Sequence, residues 1–89
     1  SLSPPTNLHL EANPDTGVLT VGWERSTTPG ITSYSIDTAK DDVPYLEEVV
    51  HADQSSCTFD NLSPGLNYTV VVATVGWSVD GPISDTIIP

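Results

Sequence analysis

Eighty-nine residues leave room for one hydrophobic core and one domain, because chains divide into several cores only at far greater length. Two basic residues stand against twelve acidic ones, a net charge of −10, which makes phosphate backbones and anionic membranes poor partners. The single cysteine cannot close an intrachain disulfide, no Cys/His cluster has metal-ligand spacing, and no run approaches the ~20 apolar residues of a spanning helix, so a soluble domain held by packing is expected. Ser1 to Pro5 also lacks the basic and apolar regions of a signal peptide.

Eight prolines and six glycines punctuate the chain, and almost no apolar pattern between them has a 3.6-residue period. Alternation takes its place. Leu8 and Leu10 mark a first strand, followed by the turn residues Asn13-Pro14-Asp15-Thr16-Gly17, where Pro fixes φ and Gly supplies a positive one. Leu19, Val21 and Trp23 form the second strand, and Thr27-Thr28-Pro29-Gly30 turns the chain into a third through Tyr34 and Ile36. Leu46 to His51, with Glu47 and Glu48, reads as a more exposed fourth strand. Cys57 and Phe59 mark the fifth, Tyr68, Val70, Val72 and Thr74 the sixth, and Ile83 to Ile88 the last. Gly76, Gly81 and Pro82 bracket the connection between the final two, which puts Trp77 at a loop tip. Short strands alternating apolar and polar, separated by turns, predict an all-β sandwich or small barrel.

Three features together resemble the fibronectin type III family over the whole chain: Pro4-Pro5 before the first strand, Trp23 ending an alternating strand, and Leu62-Ser63-Pro64-Gly65-Leu66-Asn67-Tyr68, which looks like a tyrosine corner. The resemblance implies a seven-stranded immunoglobulin-like β-sandwich of two antiparallel sheets, and the absent cysteine pair argues against an antibody-type domain. Leu2 to Arg25, Leu46 to Asp60 and Ile83 to Pro89 are similar, almost letter for letter, to one member of that family. Gly30 to Tyr45, the outward positions of the sixth strand, and Gly76 to Gly81 depart from it.

In the topology implied by the resemblance, the third and sixth strands are neighbours. Ser33, Ser35, Asp37, Thr69, Val71, Ala73 and Val75 would then share one solvent face, flanked by Tyr45, Trp77 and Val79. A kept core with one rewritten face is what selection of a binder on a fixed scaffold leaves. The expectation is a non-enzymatic protein-binding module, with Trp77 and Tyr45 as aromatic anchors and Asp37, Asp41 and Asp42 offering negative charge to a protein with a basic patch. A monomer is expected, extracellular like the family or recombinant if engineered, without nucleic acid, membrane, metal or cofactor. A matrix spacer and a backbone redesign without ligand are the alternatives; no Arg-Gly-Asp is present for adhesion by that motif.

The carboxylates offer little chemistry. A glycosidase-like pair needs two carboxyls about 5 to 9.5 Å apart across a cleft, whereas Asp41 and Asp42 are adjacent and Glu47 and Glu48 point to opposite sides of a strand. The spaced loop with a central Gly that calcium requires is missing around Asp37, Asp41 and Asp42. His9 and His51 read as surface residues, and Cys57 as an inward-facing apolar filler beside Phe59. Asn67-Tyr68-Thr69 matches a glycosylation sequon that matters only in secretory expression.

Overall fold

The computed structural model describes residues 2–63, 67–78 and 81–87, and the side chains of residues 77–78 and 81–87 lie outside that description. Among the described residues seven strands follow one another: β1 Thr6–Asn13, β2 Val18–Glu24, β3 Ile31–Lys40, β4 Val43–His51, β5 Ser56–Phe59, β6 Tyr68–Ser78 and β7 Gly81–Ile87. They form a three-stranded sheet, β1-β2-β5, and a four-stranded sheet, β4-β3-β6-β7, with every pairing antiparallel.

Alternation places the core where the sequence pattern puts it. Leu19, Val21 and Trp23 of β2, Tyr34 and Ile36 of β3, Phe59 of β5 and Val70 and Val72 of β6 form one buried cluster between the sheets. The Trp23 and Tyr34 rings meet at 5.4 Å in a tilted arrangement, and the Tyr34 hydroxyl accepts a 2.8 Å hydrogen bond from Ser26 N–H. Trp23 Nε1 is buried with no acceptor among the described residues. At one end Leu2 and Pro5 are buried, so the segment before β1 covers the core as the paired prolines suggest. At the other, the Tyr68 hydroxyl accepts from Ser63 N–H at 3.0 Å, which is the tyrosine-corner bond; Pro64, Gly65 and Leu66 lie outside the described residues.

The turns follow their chemistry. Asn13 Oδ1 accepts from the backbone N–H groups of Asp15 and Thr16, and Gly17 takes φ +71° where a Cβ would sit 2.9 Å from Leu62 O. β3 and β4 are joined by Asp41-Asp42 alone, both at positive φ, as a two-residue turn of the primed kind requires.

Four expectations need correction. Leu10 points to the core side opposite Val21 but is 42% exposed, because β1 is the edge strand of its sheet. Cys57 packs against the core yet is only half-buried, for the same reason on β5. Gly76 is not a turn residue: it lies inside β6 opposite Ile31, buried, where a Cβ would come within 2.6 Å of Gly30 O and 2.9 Å of Leu2 Cδ1. A strand glycine marked a close backbone approach there, not a break. Trp77 therefore sits in β6 in register with Pro82 of β7 and not at a loop tip, since the strands continue to Ser78 and Gly81.

Candidate protein-binding face

Register brings the expected face together. Ser33 pairs with Val75, Ser35 with Ala73, Asp37 with Val71 and Ala39 with Thr69, while the residues between, Tyr34, Ile36, Val70, Val72 and Thr74, are buried in the sandwich. Seven of the twelve expected contact residues, Ser33, Ser35, Asp37, Thr69, Val71, Ala73 and Val75, thus lie on one side of the β3/β6 pair. Asp37 and Thr69 are exposed, and Ser33, Ser35, Val71 and Val75 are half-buried.

Ala73 departs from the expectation of solvent exposure. It is 4% exposed, since a methyl group on an interior strand with β3 and β7 on either side is shaded by its neighbours. The remaining contact residues spread more widely. Asp41 is engaged with the backbone: its N–H donates to Asn67 O at 2.9 Å and its Oδ1 accepts from Asn67 N–H at 3.4 Å. Asp42 is exposed at the turn beside it. The Trp77 side chain and all of Val79 lie outside the described residues.

β4 extends the face in a way the sequence reading missed. Glu47 pairs with Asp37, Val49 with Ser35 and His51 with Ser33, so three more side chains share the same side of the sheet. Val49 is 60% exposed and continues the row that runs through Ser35 to Ala73. The signal was available, because Glu47, Val49 and His51 have one parity within the expected fourth strand; what was lacking was the register to β3.

A bulge shapes the end of this face. The β3/β4 register shifts between Asp37/Glu47 and Ala39/Pro44, which leaves Tyr45 and Leu46 both opposite Thr38. Thr38 repairs the ladder with its side chain: its hydroxyl donates to Leu46 C=O and accepts from Leu46 N–H, each at 2.8 Å. Tyr45 is 46% exposed, its ring 6.2 Å from that of Tyr68, and Lys40 Nζ lies 5.2 Å from its centroid. Beside it opens a groove of about 400 Å³ lined by Asp37, Thr38, Ala39, Pro44, Tyr45, Leu46, Glu47, Thr69 and Val71.

The electrostatics are one-sided. Asp37 and Glu47 stand directly opposite each other, and like charges so placed destabilise a sheet. Neither has a hydrogen-bond or ion-pair partner among the described residues, where the one ion pair joins His51 and Asp53 at 2.9 Å, both highly exposed. On the other sheet, the His9 ring lies over Gly22, with its Nδ1 3.0 Å from Asn7 O. Burial, then the Glu48 carboxylate, push the Cys57 thiol up to about 11, opposite to what a nucleophile requires. No group of three or more His, Cys, Asp or Glu side chains could hold a metal ion among the described residues.

The model of the family described as "Fibronectin type III domain" matches residues 3–89. Among solved structures, the FN1–FN3 domains of chicken CNTN1 superpose with a TM-score of 0.75 at 18% identity, over 99% of this chain and 31% of that one. The chain thus spans about a third of that longer protein. The FN3 domain of human collagen XX gives 0.66 at 18% identity, with 100% and 93% of the two chains covered. A computer-based redesign of a β-sandwich protein gives 0.72 at 23% identity, over 99% and 90%. At these identities the three structures establish a shared fold.

Proposed function

The chain belongs to the fibronectin type III family, whose members are generally non-catalytic binding or structural modules, and from that premise we propose that it is a non-enzymatic protein-binding module. Its contact surface is the outer face of β3 and β6, extended by β4. One observation carries this reading: the outward side of the four-stranded sheet holds exposed Val49 and, on β6, half-buried Val71 and Val75 with Ala73 shaded between them, where a half-solvated sheet ordinarily presents polar side chains.

These side chains are bordered by the unpaired carboxylates of Asp37 and Glu47, which suit a partner with a basic patch. A net charge of −10 repels a second copy and favours a monomer. The fuller reading is an engineered scaffold built on the seventh type III repeat of fibronectin. What supports it is the resemblance to that repeat along Leu2 to Arg25, Leu46 to Asp60 and Ile83 to Pro89, with the departures gathered on this face and at its ends. Its natural setting is extracellular, as for the family's occurrence in collagens.

The test is a titration of a protein partner isolated on the immobilised domain against Val49→Lys and Val71→Lys. Both positions tolerate a lysine on the free face; at Val49 it would bury a charge in the apolar part of the contact, and at Val71 it would stand opposite Asp37 and neutralise the carboxylate offered to a basic partner, so each is expected to raise Kd at least tenfold, about 1.4 kcal/mol. A partner that binds both folded variants as tightly as the parent refutes the face.

A further inference from the structure

The bulge and the unpaired carboxylates coincide, and their chemistry selects one kind of side chain. Asp37 and Glu47 are directly opposed across β3 and β4, which sets their Cβ atoms about 4.5–5.5 Å apart. Both line the groove beside the bulge, with Tyr45 and Pro44 on one flank and Val71 and Thr69 on the other. An acidic pair alone would be an ordinary solvated surface. Here it closes one side of a partly apolar depression, about 400 Å³ in volume, near the lower end of the range for clefts that hold small ligands. At its Tyr45 end, Lys40 Nζ lies 5.2 Å from the ring centroid, within cation–π reach. Yet that lysine pairs with neither carboxylate within 4.0 Å among the described residues.

We propose that this groove takes an arginine side chain from an extended basic segment of the partner protein, the guanidinium bridging Asp37 and Glu47. This rests on the outer-face reading above and names the chemistry of its anchor. A guanidinium is planar, with donors along two edges, so one group serves two facing carboxylates at once and relieves their repulsion. Its three-carbon stem lies along Val71 and the Tyr45 ring, and Thr69 offers a further hydroxyl acceptor. Lysine fits less well. Its compact, strongly hydrated ammonium cannot span both carboxylates with paired hydrogen bonds, and Lys40 occupies the neighbouring ring without doing so.

The experiment is a titration of the ¹⁵N-labelled full chain at low salt with a capped Gly-Arg-Gly peptide and, separately, its Gly-Lys-Gly counterpart. The arginine peptide is expected to shift the amides of Asp37, Glu47, Thr69 and Val71 saturably, and to bind at least fivefold more tightly than the lysine peptide. Asp37→Asn and Glu47→Gln should each weaken it at least fivefold and melt no lower than the parent, since each removes one of two opposed like charges. Glu11→Gln on β1 of the other sheet should leave it unchanged. Equal affinity for the two peptides, or shifts spread over Glu11, Asp15 and Asp60 as well, would reduce the effect to general attraction by an acidic chain and overturn the proposal. The face reading is judged separately on a protein partner. If Val49→Lys, which lies outside the groove, abolishes that binding while Asp37→Asn leaves it intact, the face stands and the arginine assignment falls.

Discussion

Replacing Thr38 by Val tests how much of the β3/β4 end depends on one hydroxyl. The side chain is 5% exposed, and its oxygen both donates to and accepts from the Leu46 backbone at 2.8 Å, filling the place that a β3 backbone group would hold in an unbulged ladder. Valine keeps the shape but leaves Leu46 N–H and C=O without their partner. A buried orphan group costs about 1–3 kcal/mol, and Leu46 is half-buried beside a groove that admits water, so the two together come to about 2–3 kcal/mol. For a domain of this size that lowers Tm by about 8–24 °C. Thr38→Ser keeps both hydrogen bonds and loses a methyl, for about 1 kcal/mol. Urea and thermal melts of the three proteins measure the differences, with amide exchange at Leu46 as the local readout. A valine variant within 0.5 kcal/mol of the parent, or a serine variant as unstable as valine, would show that the hydroxyl does not hold the bulge.

Gly76→Ala should destabilise by about 1–3 kcal/mol in a chemical melt, because the new Cβ meets the backbone oxygen of Gly30 at 2.6 Å, and a carbonyl held in the β2–β3 connection cannot swing aside as a side chain would. Asp42→Gly should stabilise by about 0.5–1 kcal/mol, since Asp42 holds φ +66° in a two-residue turn that favours Asp-Gly; a lower Tm would mean that the Asp42 side chain does something the strain conceals. Cys57 should label slowly in the native state at pH 7.5 and quickly in denaturant, with the native rate rising about tenfold per pH unit towards its pKa of about 11. The sign follows from the raised value: burial favours the neutral thiol, so its stabilising effect is complete below the ordinary pKa of 9.0 and is lost as pH rises through 9 to 11. Native labelling as fast as in denaturant would place the thiol in solvent.

Most of the fold was legible because a strand exposes its period directly. Val21, Trp23, Tyr34, Ile36, Val70 and Val72 are buried as their parity requires, and the tyrosine corner and the Asn13–Gly17 turn follow from residues that have few other uses. What parity could not supply was register between strands distant in sequence. The alignment of β3 with β4 depends on a bulge opposite Thr38, immediately beyond Asp37, and nothing in the spacing announces that Thr38 will stand in for a backbone group. Edge position was also hidden. Leu10 and Cys57 have inward parity, but each belongs to an outer strand and keeps part of its surface in water. Gly76 misled for a related reason, since a glycine that makes room for Gly30 and Leu2 reads, in one dimension, like a glycine that makes a turn.

Positive φ also occurs at Asn7 and Asn61 and register shifts also occur in β1/β2 and at the start of β3/β6, but several unfavourable choices coincide at one place. Asp41 and Asp42 both hold left-handed backbone, the ladder is broken by the bulge, Tyr45 is left 46% exposed, and Asp37 faces Glu47 without a counter-ion among the described residues. All of these fall between Asp37 and Glu47, at one end of one sheet. The centre of the sandwich has a different character: the apolar side chains of β2, β3 and β6 enclosed, Tyr34 and Tyr68 hydroxyls bonded, and the indole nitrogen of Trp23 as its one orphan among the described residues. Departures from local consistency gather at functional sites because only a gain elsewhere retains them. A spacer would have no such gain from two opposed carboxylates beside an exposed tyrosine, since replacing either acid would stabilise it. On the proposed binding face the gain would come from a cationic partner, which relieves the repulsion that weakens the free sheet.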